Sequence, residues 1–327
     1  MDYVPKISVI VPVHNSYDYI EKCLVSLLNQ TLREIEVVTV LDCPTDGTER
    51  IVHSLAQKDE RIKILRNEKN LHVGLCRNKG MEHATGKYIG FCDHDDYCDP
   101  DMYSQLYQKA EKENLDIAFC NYRIVYPDQV KDYIYPQADS IEKLRAERIE
   151  GIIRRRNFES GVIWNHIYKT EFIKQYHLIF VDTNIMSAED RLFYLNSYYH
   201  AKRINGINQF LYYHRIHDHN TGKSEQYLSL SKIVTFFENM EFFLIDNNIE
   251  STYKSCLYEG IVRRLYTSFA SNIKLNYLGK MVSEFKRIKH NKLIKESLDY
   301  FYNIKNMKEL LKSKPSIISF LAFMKMI

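Results

Sequence analysis

The chain has 327 residues, 45% of them hydrophobic and 27% charged. That length suits one large α/β domain with an appendage, and the composition excludes a wholly disordered or collagen-like chain. Forty-five Lys and Arg against 42 Asp and Glu leave a formal charge of +3, too balanced for a nucleic-acid binder over its whole surface, so no nucleic-acid partner is expected.

From the N-terminus, Ile7 to Val13 is a β-branched run with the signature of a buried strand. Ile20, Cys23, Leu24, Leu27 and Leu28 recur at helical spacing and predict an amphipathic helix from about Tyr17 to Asn29. A second strand, Ile35 to Leu41, leads into Asp46-Gly47-Thr48-Glu49, which opens another helix with Asp46 as its N-cap. Ile62 to Leu65 is a third strand, and Gly74 to His83 a helix closed by the Thr85-Gly86-Lys87 turn. A fourth strand, Tyr88 to Cys92, runs straight into Asp93-His94-Asp95-Asp96, followed by a helix from Pro100 to Glu113 and a strand from Leu115 to Tyr122. Strand and helix alternating in this way predict an α/β fold, a mostly parallel sheet between helices. Beyond Tyr126 the alternation weakens: Pro127 to Pro136 is a tyrosine-rich connector, Ile141 to Arg156 a charged helix, and Gly161 to Arg215 a further unit. From Ser224 onward helical periodicity dominates. A boundary near residue 223 therefore separates an α/β domain, 1–223, from a helical region, 224–327.

Ligands of such sheets bind beyond the carboxyl ends of the strands. His14 and Asn15, Asp42, and Asp93 to Asp96 all lie at those ends. Asp93 and Asp95 fall on one side of an extended backbone, where two carboxylates repel unless a cation lies between them; hard oxygen ligands suit Mg²⁺ or Mn²⁺. An acidic turn capping the next helix accounts for the same residues equally well. Asp42 either accepts from a ligand N–H or closes a turn in Asp42-Cys43-Pro44-Thr45. Arg77, in Arg77-Asn78, approaches a phosphate, buttresses the acidic loop or, the favoured reading for a lone arginine, faces solvent. The histidines of Tyr212-Tyr213-His214-Arg215-Ile216-His217-Asp218-His219-Asn220 have no nearby cysteine and irregular alternation, which disfavours zinc.

Taken together these segments resemble the family 2 glycosyltransferases, nucleotide-sugar enzymes of the GT-A fold. The resemblance runs through Ser8-Val9-Ile10-Val11-Pro12-Val13-His14-Asn15, Asp42-Cys43-Pro44-Thr45-Asp46-Gly47-Thr48, Arg77-Asn78-Lys79-Gly80 and Gly90-Phe91-Cys92-Asp93-His94-Asp95-Asp96. It is close over residues 5 to 105 and looser to about 220, and implies a nucleotide-binding half, 1–105, and an acceptor half, 106–223. The resemblance implies that Pro12, Val13, His14, Asn15 and Asp42 embrace the nucleobase. It also makes Asp93, His94 and Asp95 an Asp-x-Asp motif on the ribose and metal-bound diphosphate, with Asp93 and Asp95 holding the metal. His14 stands where the family more often has Tyr, and Leu41-Asp42-Cys43-Pro44 replaces its Asp-Asp-Gly-Ser run. Ser187-Ala188-Glu189-Asp190-Arg191-Leu192-Phe193 is similar to the Glu-Asp-x-x-Phe segment whose Asp is the general base; that makes Asp190 the base and Glu189 the fallback. Trp164 and Asn165, in Val162 to Lys169, match the acceptor-side strand of the same enzymes; the single Trp either packs against a sugar ring or, the favoured reading, packs in the core. Read from the residues alone, Arg215 or His217 either closes over the diphosphate or lies on the surface.

The expected activity is inverting, metal-dependent sugar transfer from a UDP-sugar to a glycan or lipid-linked acceptor in bacterial surface polysaccharide assembly. Two rivals are a sugar nucleotidyltransferase, which would want a glycine-rich loop where Pro12 to Asn15 stands, and a non-catalytic carbohydrate- or lipid-binding subunit with a degenerate site. The seven cysteines, at 23, 43, 76, 92, 98, 120 and 256, form no Cys-x-x-Cys pair, which suits a reducing compartment. The start of the chain lacks the form of a signal peptide, and there is no apolar run of about 18 residues to span a bilayer. A cytoplasmic location is expected. Residues 279–327 carry eleven Lys and Arg against four Asp and Glu. The apolar segment Ser316 to Ile327 beside those cations suits the inner face of an anionic membrane, or a docked helix at a homodimer contact.

Overall fold

The structure is a computed structural model that describes residues 4–135, 140–154, 161–186, 188–218, 229–274 and 277–302. The Ser316–Ile327 segment and the boundary near residue 223 lie outside the described residues. Strands and helices alternate over the first hundred residues as β1 (Ile7–Val13), α1 (Ile20–Leu28), β2 (Ile35–Leu41), α2 (Thr48–Ala56), β3 (Ile62–Arg66), α3 (His72–His83), β4 (Tyr88–Phe91) and β5 (Tyr97–Cys98). There follow α4 (Met102–Glu113), β6 (Ile117–Val125), β7 (Val130–Tyr133), α5 (Ile141–Arg154), β8 (His166–Lys169), α6 (Thr170–Gln175), α7 (Glu189–His200) and β9 (Ile204–Arg215). Helices α8 (Leu230–Asp246), α9 (Glu250–Lys274), α10 (Leu278–Ile288) and α11 (Lys292–Tyr302) complete the described chain.

One sheet runs β3-β2-β1-β4-β8-β6-β9-β5, with β7 added to β6. The β3-β2-β1-β4 portion is parallel throughout, and every residue of β1 and β2 is buried. Covered on both faces, such strands read as continuous apolar runs, which is why the sequence shows them plainly. The parallel sense does not extend across the sheet. Strand β8 enters antiparallel between β4 and β6, β5 pairs antiparallel with β9 and β7 antiparallel with β6, while β6 and β9 run parallel. The expectation of a mostly parallel sheet therefore holds for the first half and becomes a mixed sheet in the second.

Three local differences have clear causes. The tyrosine-rich connector contains β7, whose Tyr133 pairs with Tyr122 of β6, their rings stacked with centroids 5.3 Å apart. The polar run beginning at Tyr212 is the end of strand β9, whose alternation is broken where the β6–β9 register shifts between Cys120, Asn121 and Tyr122. Asp46 does not sit at the N-cap, a place taken by Gly47 at φ 92°; its carboxylate still accepts from the Thr48 N–H at 3.0 Å and so satisfies an early helix donor.

The C-terminal helices lie against α5 and α7. Helix α9 approaches α5 so closely that a Cβ added at Gly260 would stand 2.0 Å from the Ile153 carbonyl oxygen. Arg154 of α5 pairs with Glu259 of α9 beside this crossing. Phe237, Met240 and Leu244 of α8 are fully buried. Among the described residues no helix is long and apolar enough to cross a membrane.

Candidate active site

The carboxyl ends of β1, β2 and β4 open on one edge of the sheet, because these strands are parallel neighbours. Strand β4 pairs with β1 only as far as Ile10 opposite Phe91. Past that point the flank of β1 is taken over by the acidic loop: His94 Nδ1 lies 2.9 Å from the Pro12 carbonyl oxygen. Pro12 itself sits opposite Val40 of β2 and, like Val13, is buried. The loops turn sharply here. Asn15, Cys43, His72 and Ala188 have φ of 38°, 52°, 62° and 64°, a left-handed conformation that costs a non-glycine residue of order 1 kcal/mol or more.

Asp42 is 3% exposed, and its carboxylate is spanned by protein donors. Oδ1 accepts from Asn67 Nδ2 and the Leu71 N–H, and Oδ2 from the His72 N–H, each at 2.8 Å. It thereby fixes the loop that starts α3, a more distant version of the turn-closing role anticipated from sequence. His14 is half-buried, with Nδ1 2.6 Å from the Asp42 carbonyl oxygen, and Asn15 is exposed with Oδ1 accepting from the Thr45 N–H at 2.7 Å. Pro12 to Asn15 and Asp42 thus form one continuous wall across the ends of β1 and β2.

Arg77 is the cation of the site. It projects from α3 with a side chain only 5% exposed, donating from Nη2 to Asp93 Oδ1 at 2.9 Å and from Nη1 to Glu189 Oε1 at 2.8 Å. Burial opposes its charge, but the surrounding Asp93, Glu189 and Asp190 carboxylates raise its pKa further. One buried guanidinium therefore clamps the acidic loop after β4 to the first turn of α7. The solvent-facing alternative for Arg77 is excluded. Burial, followed by the neighbouring charge of Asp190, pushes the Glu189 carboxyl up to about 7. Asp190 is half-buried, and among the described residues its carboxylate accepts from the Arg191 N–H, at 2.9 Å.

The third acidic residue of the loop, Asp96, has no solvent exposure. It accepts from Tyr212 Oη at 2.7 Å, from His214 Nδ1 at 3.1 Å and from the Arg215 N–H at 2.7 Å, tying the loop to the end of β9. The same strand end delivers His217, whose Nε2 is 2.9 Å from Asp95 Oδ2 and whose ring stacks on Tyr19 at 4.2 Å. Arg215 lies over the Tyr19 ring at 5.0 Å. Asp93 and Asp95 keep side-chain exposures of 30% and 16%, so two carboxylates beside an imidazole face the site. Such a donor set suits a hard or borderline divalent ion with ligand oxygens completing its shell. Among the described residues no group of three or more His, Cys, Asp or Glu is gathered as a ready metal cage.

Two candidates do not reach the site. Trp164 is 7% exposed, stacked on Tyr212 with centroids 4.3 Å apart and on His214 at 5.5 Å. Asn165 is fully buried and donates to the Cys120 carbonyl at 2.5 Å. Both belong to the layer beneath β9, so the acceptor-side assignment is corrected: the aromatic ring supports the Asp96–His214 contact from below.

Residues 8–175 match the sequence profile described as "Glycosyl transferase family 2", half of the chain. The chain belongs to glycosyltransferase family 2. It is 32% identical over 214 residues to "Uncharacterized glycosyltransferase EpsJ" of Bacillus subtilis (strain 168), covering 65% of this chain and 61% of the relative. It is 31% identical over 264 residues to "Putative glycosyltransferase EpsH" of the same organism, covering 79% of this chain and 74% of the relative. The chain thus spans somewhat less than two thirds of the first relative's length. Among solved structures, S. aureus TarS 1-349 in complex with UDP-GlcNAc superposes with a TM-score of 0.63 at 26% identity, over 85% of this chain and 81% of that one. The fold is the GT-A fold of this family, with a helical C-terminal region.

For this glycosyltransferase, sequence reasoning missed Asp96 as the hub of the acidic loop and Tyr212 and His214 as its partners. A signal was present, since Tyr212 and His214 are two apart and so share one face of a strand. The signal is weak because the β6–β9 register shifts beside Asn121, so the polar residues from Tyr212 do not continue the alternation of the strand before them.

Proposed function

We propose that this protein transfers a sugar from a nucleotide-sugar donor, a UDP-sugar, to a glycan or lipid-linked acceptor with inversion, in bacterial surface polysaccharide assembly. The observation that carries the reading is the Asp93–Arg77–Glu189 clamp. It sets a diphosphate-binding loop and an acidic helix start on opposite sides of one buried cation. The UDP-GlcNAc bound by the TarS neighbour supports UDP as the nucleotide. The uracil lies against the wall of Pro12, Val13, His14, Asn15 and Asp42, and the ribose and diphosphate against Asp93, His94 and Asp95. Asp93 and Asp95, with His217 alongside, are the residues that would hold Mn²⁺ or Mg²⁺. When bound, such an ion supplies positive charge to the leaving diphosphate.

Asp190 takes the proton of the acceptor hydroxyl as that oxygen attacks the anomeric carbon. The bond from that carbon to the diphosphate oxygen breaks on the opposite face, and the nucleoside diphosphate leaves with the electron pair. Glu189, held by Arg77, orients the first turn of α7 and with it Asp190. Arg215, at the end of β9, approaches the diphosphate from the open side. Residues 1–223 form the catalytic unit, and the C-terminal region meets the inner face of the membrane in the cytoplasm or a second copy.

The test is slow hydrolysis of a panel of UDP-, GDP- and dTDP-sugars with and without Mn²⁺, beside thermal stabilisation by each. At a hundredfold excess over Kd a bound donor adds about 2.7 kcal/mol of stability. Stabilisation and hydrolysis confined to UDP-sugars with Mn²⁺ support the reading. Absence of any nucleotide effect leaves only the non-catalytic alternative.

A further inference from the structure

Beyond the donor site, the sheet end that carries His217 and Arg215 presents a second organised surface. The pairings Asp132–Arg123, Arg123–Tyr213 and Tyr213–Tyr97 run across β7, β6, β9 and β5, so these four side chains share one face of the sheet. Tyr97 and Tyr213 stack with centroids 4.7 Å apart and planes 7° from parallel. Lys22 of α1 places Nζ 3.7 Å from the Tyr97 centroid, and Arg215 lies 5.4 Å from the same ring. Arg123 lies 5.5 Å from the Tyr213 ring and donates to Tyr213 Oη at 2.9 Å. Both tyrosines and Arg123 are half-buried, and Lys22 is exposed.

Two features of this strip point to an anionic ligand. The Lys22 ammonium lies on the Tyr97 ring at 3.7 Å, and partial loss of water there, followed by the positive charge of Arg215, lowers its pKa. Crowded like charges are relieved by an anion between them. Arg123 spends Nε on Asp132 and Nη1 on Tyr213, two of its five donors. The ring edges and hydroxyls of the stacked tyrosine pair, set between these cations, can line a sugar ring while its acidic group meets the ammonium or guanidinium. The strip also continues the donor site, because Arg215 spans from Tyr97 to Tyr19, on which His217 stacks.

We propose that the Lys22–Tyr97–Tyr213–Arg123 strip is a binding track for an acidic glycan, the acceptor chain of the transfer reaction, a reading that rests on the function proposed above. The acceptor end reaches Asp190 while preceding sugars lie along the strip. Acidic groups on the glycan determine its selectivity.

The test uses the full-length protein, with an oligogalacturonide hexamer as the acidic probe and maltohexaose as the neutral probe of equal length. Binding is measured by titration with UDP and Mn²⁺ present. The acidic hexamer is expected to bind about tenfold more tightly than the neutral one. Its advantage should shrink as salt rises toward about 0.5 M, because the pairing charges are partly exposed. Lys22→Gln with Arg123→Gln should erase the preference, and Tyr97→Leu should weaken both hexamers together. Circular dichroism and UDP-sugar hydrolysis report separately on fold and donor site. If hydrolysis proceeds in the parent protein while the two hexamers bind equally, or neither binds, the track is wrong and the donor reading stands. If anionic phospholipid vesicles compete for the strip and the acidic hexamer does not bind, the face belongs to a membrane and the proposal is overturned. If hydrolysis itself is absent, the donor reading has failed first.

Discussion

The two halves of the site are built in opposite ways. From Ile7 to Cys98 the chain lays down β1, β2, β3 and β4 as parallel neighbours, and three of them, β1, β2 and β4, end in a loop of the site: His14 and Asn15, Asp42, and Asp93 to Asp96. From Ile117 to Arg215 the strands interleave by long crossings, and functional side chains meet partners more than a hundred residues away. Arg77 reaches Glu189, and Asp96 reaches Tyr212 and His214, across 112, 116 and 118 positions. The difference teaches that the first half of the site is modular, each loop placed by its own strand. The second half depends on Arg77 and Asp96, which join it to the first.

That contrast can be broken by substitution. Asp95→Ala should abolish Mn²⁺-dependent UDP binding with a loss of at most about 1 kcal/mol in stability, because losing the partly exposed contact to His217 is offset by relief of the repulsion from Asp93. Calorimetric titration of UDP with and without Mn²⁺ decides it; unchanged Mn²⁺-dependent affinity would reject Asp95 as a ligand. Asp190→Asn should leave UDP affinity within a few-fold while transfer falls by about 10²–10⁴, the usual contribution of a general base. An amide retains the shape but cannot take the proton. Retained turnover in Asp190→Asn beside a dead Glu189→Gln would shift the assignment by one residue.

Smaller effects sharpen the comparison. Gly260→Ala forces a Cβ against the Ile153 backbone at the α5–α9 crossing and should cost about 1–3 kcal/mol, as overpacking does, while UDP affinity below the transition stays unchanged. A matched loss of UDP affinity would show that the helical region shapes the donor site. Glu189→Gln gives the smallest effect, a change of slope. The carboxyl, pushed up to about 7 in the fold from an ordinary 4.5, holds its proton in the native state where the unfolded chain has released it. Stability contributed by Glu189 is therefore present below about pH 4.5 and declines as pH rises toward 7. Melting curves at pH 5, 6 and 7 should fall less steeply for the Gln variant than for the parent; parallel slopes would place the Glu189 titration elsewhere.

Several parts of this architecture were legible before any coordinates. The β-branched runs of β1 and β2 announce strands buried on both faces, and polar residues just past them announce a ligand edge. Strand β8, four residues from His166 to Lys169, gives no such signal, and its antiparallel insertion is set by pairing with Tyr88 to Gly90 and Ile117 to Phe119. Strand β9 was hidden because its register with β6 shifts near Asn121, so alternation in Ile204 to Arg215 does not hold one phase. Trp164 leaves both a sugar platform and core packing open, because aromatic rings serve at cores and binding faces alike; its burial on Tyr212 decides for the core.

The sequence by itself determined the family, the polar loops past β1, β2 and β4 and the acidic start of α7, because each is a short run whose chemistry follows from neighbours along the chain. Tertiary structure alone decided that Arg77 is a buried clamp and that Asp96 anchors β9. It also set Trp164 beneath the site and aligned Tyr97 with Tyr213 and Arg123 on one face. Those roles come from contacts across strand pairings and helix crossings. A side chain's charge state and exposure depend on what those contacts bring to it, and local sequence carries no record of that.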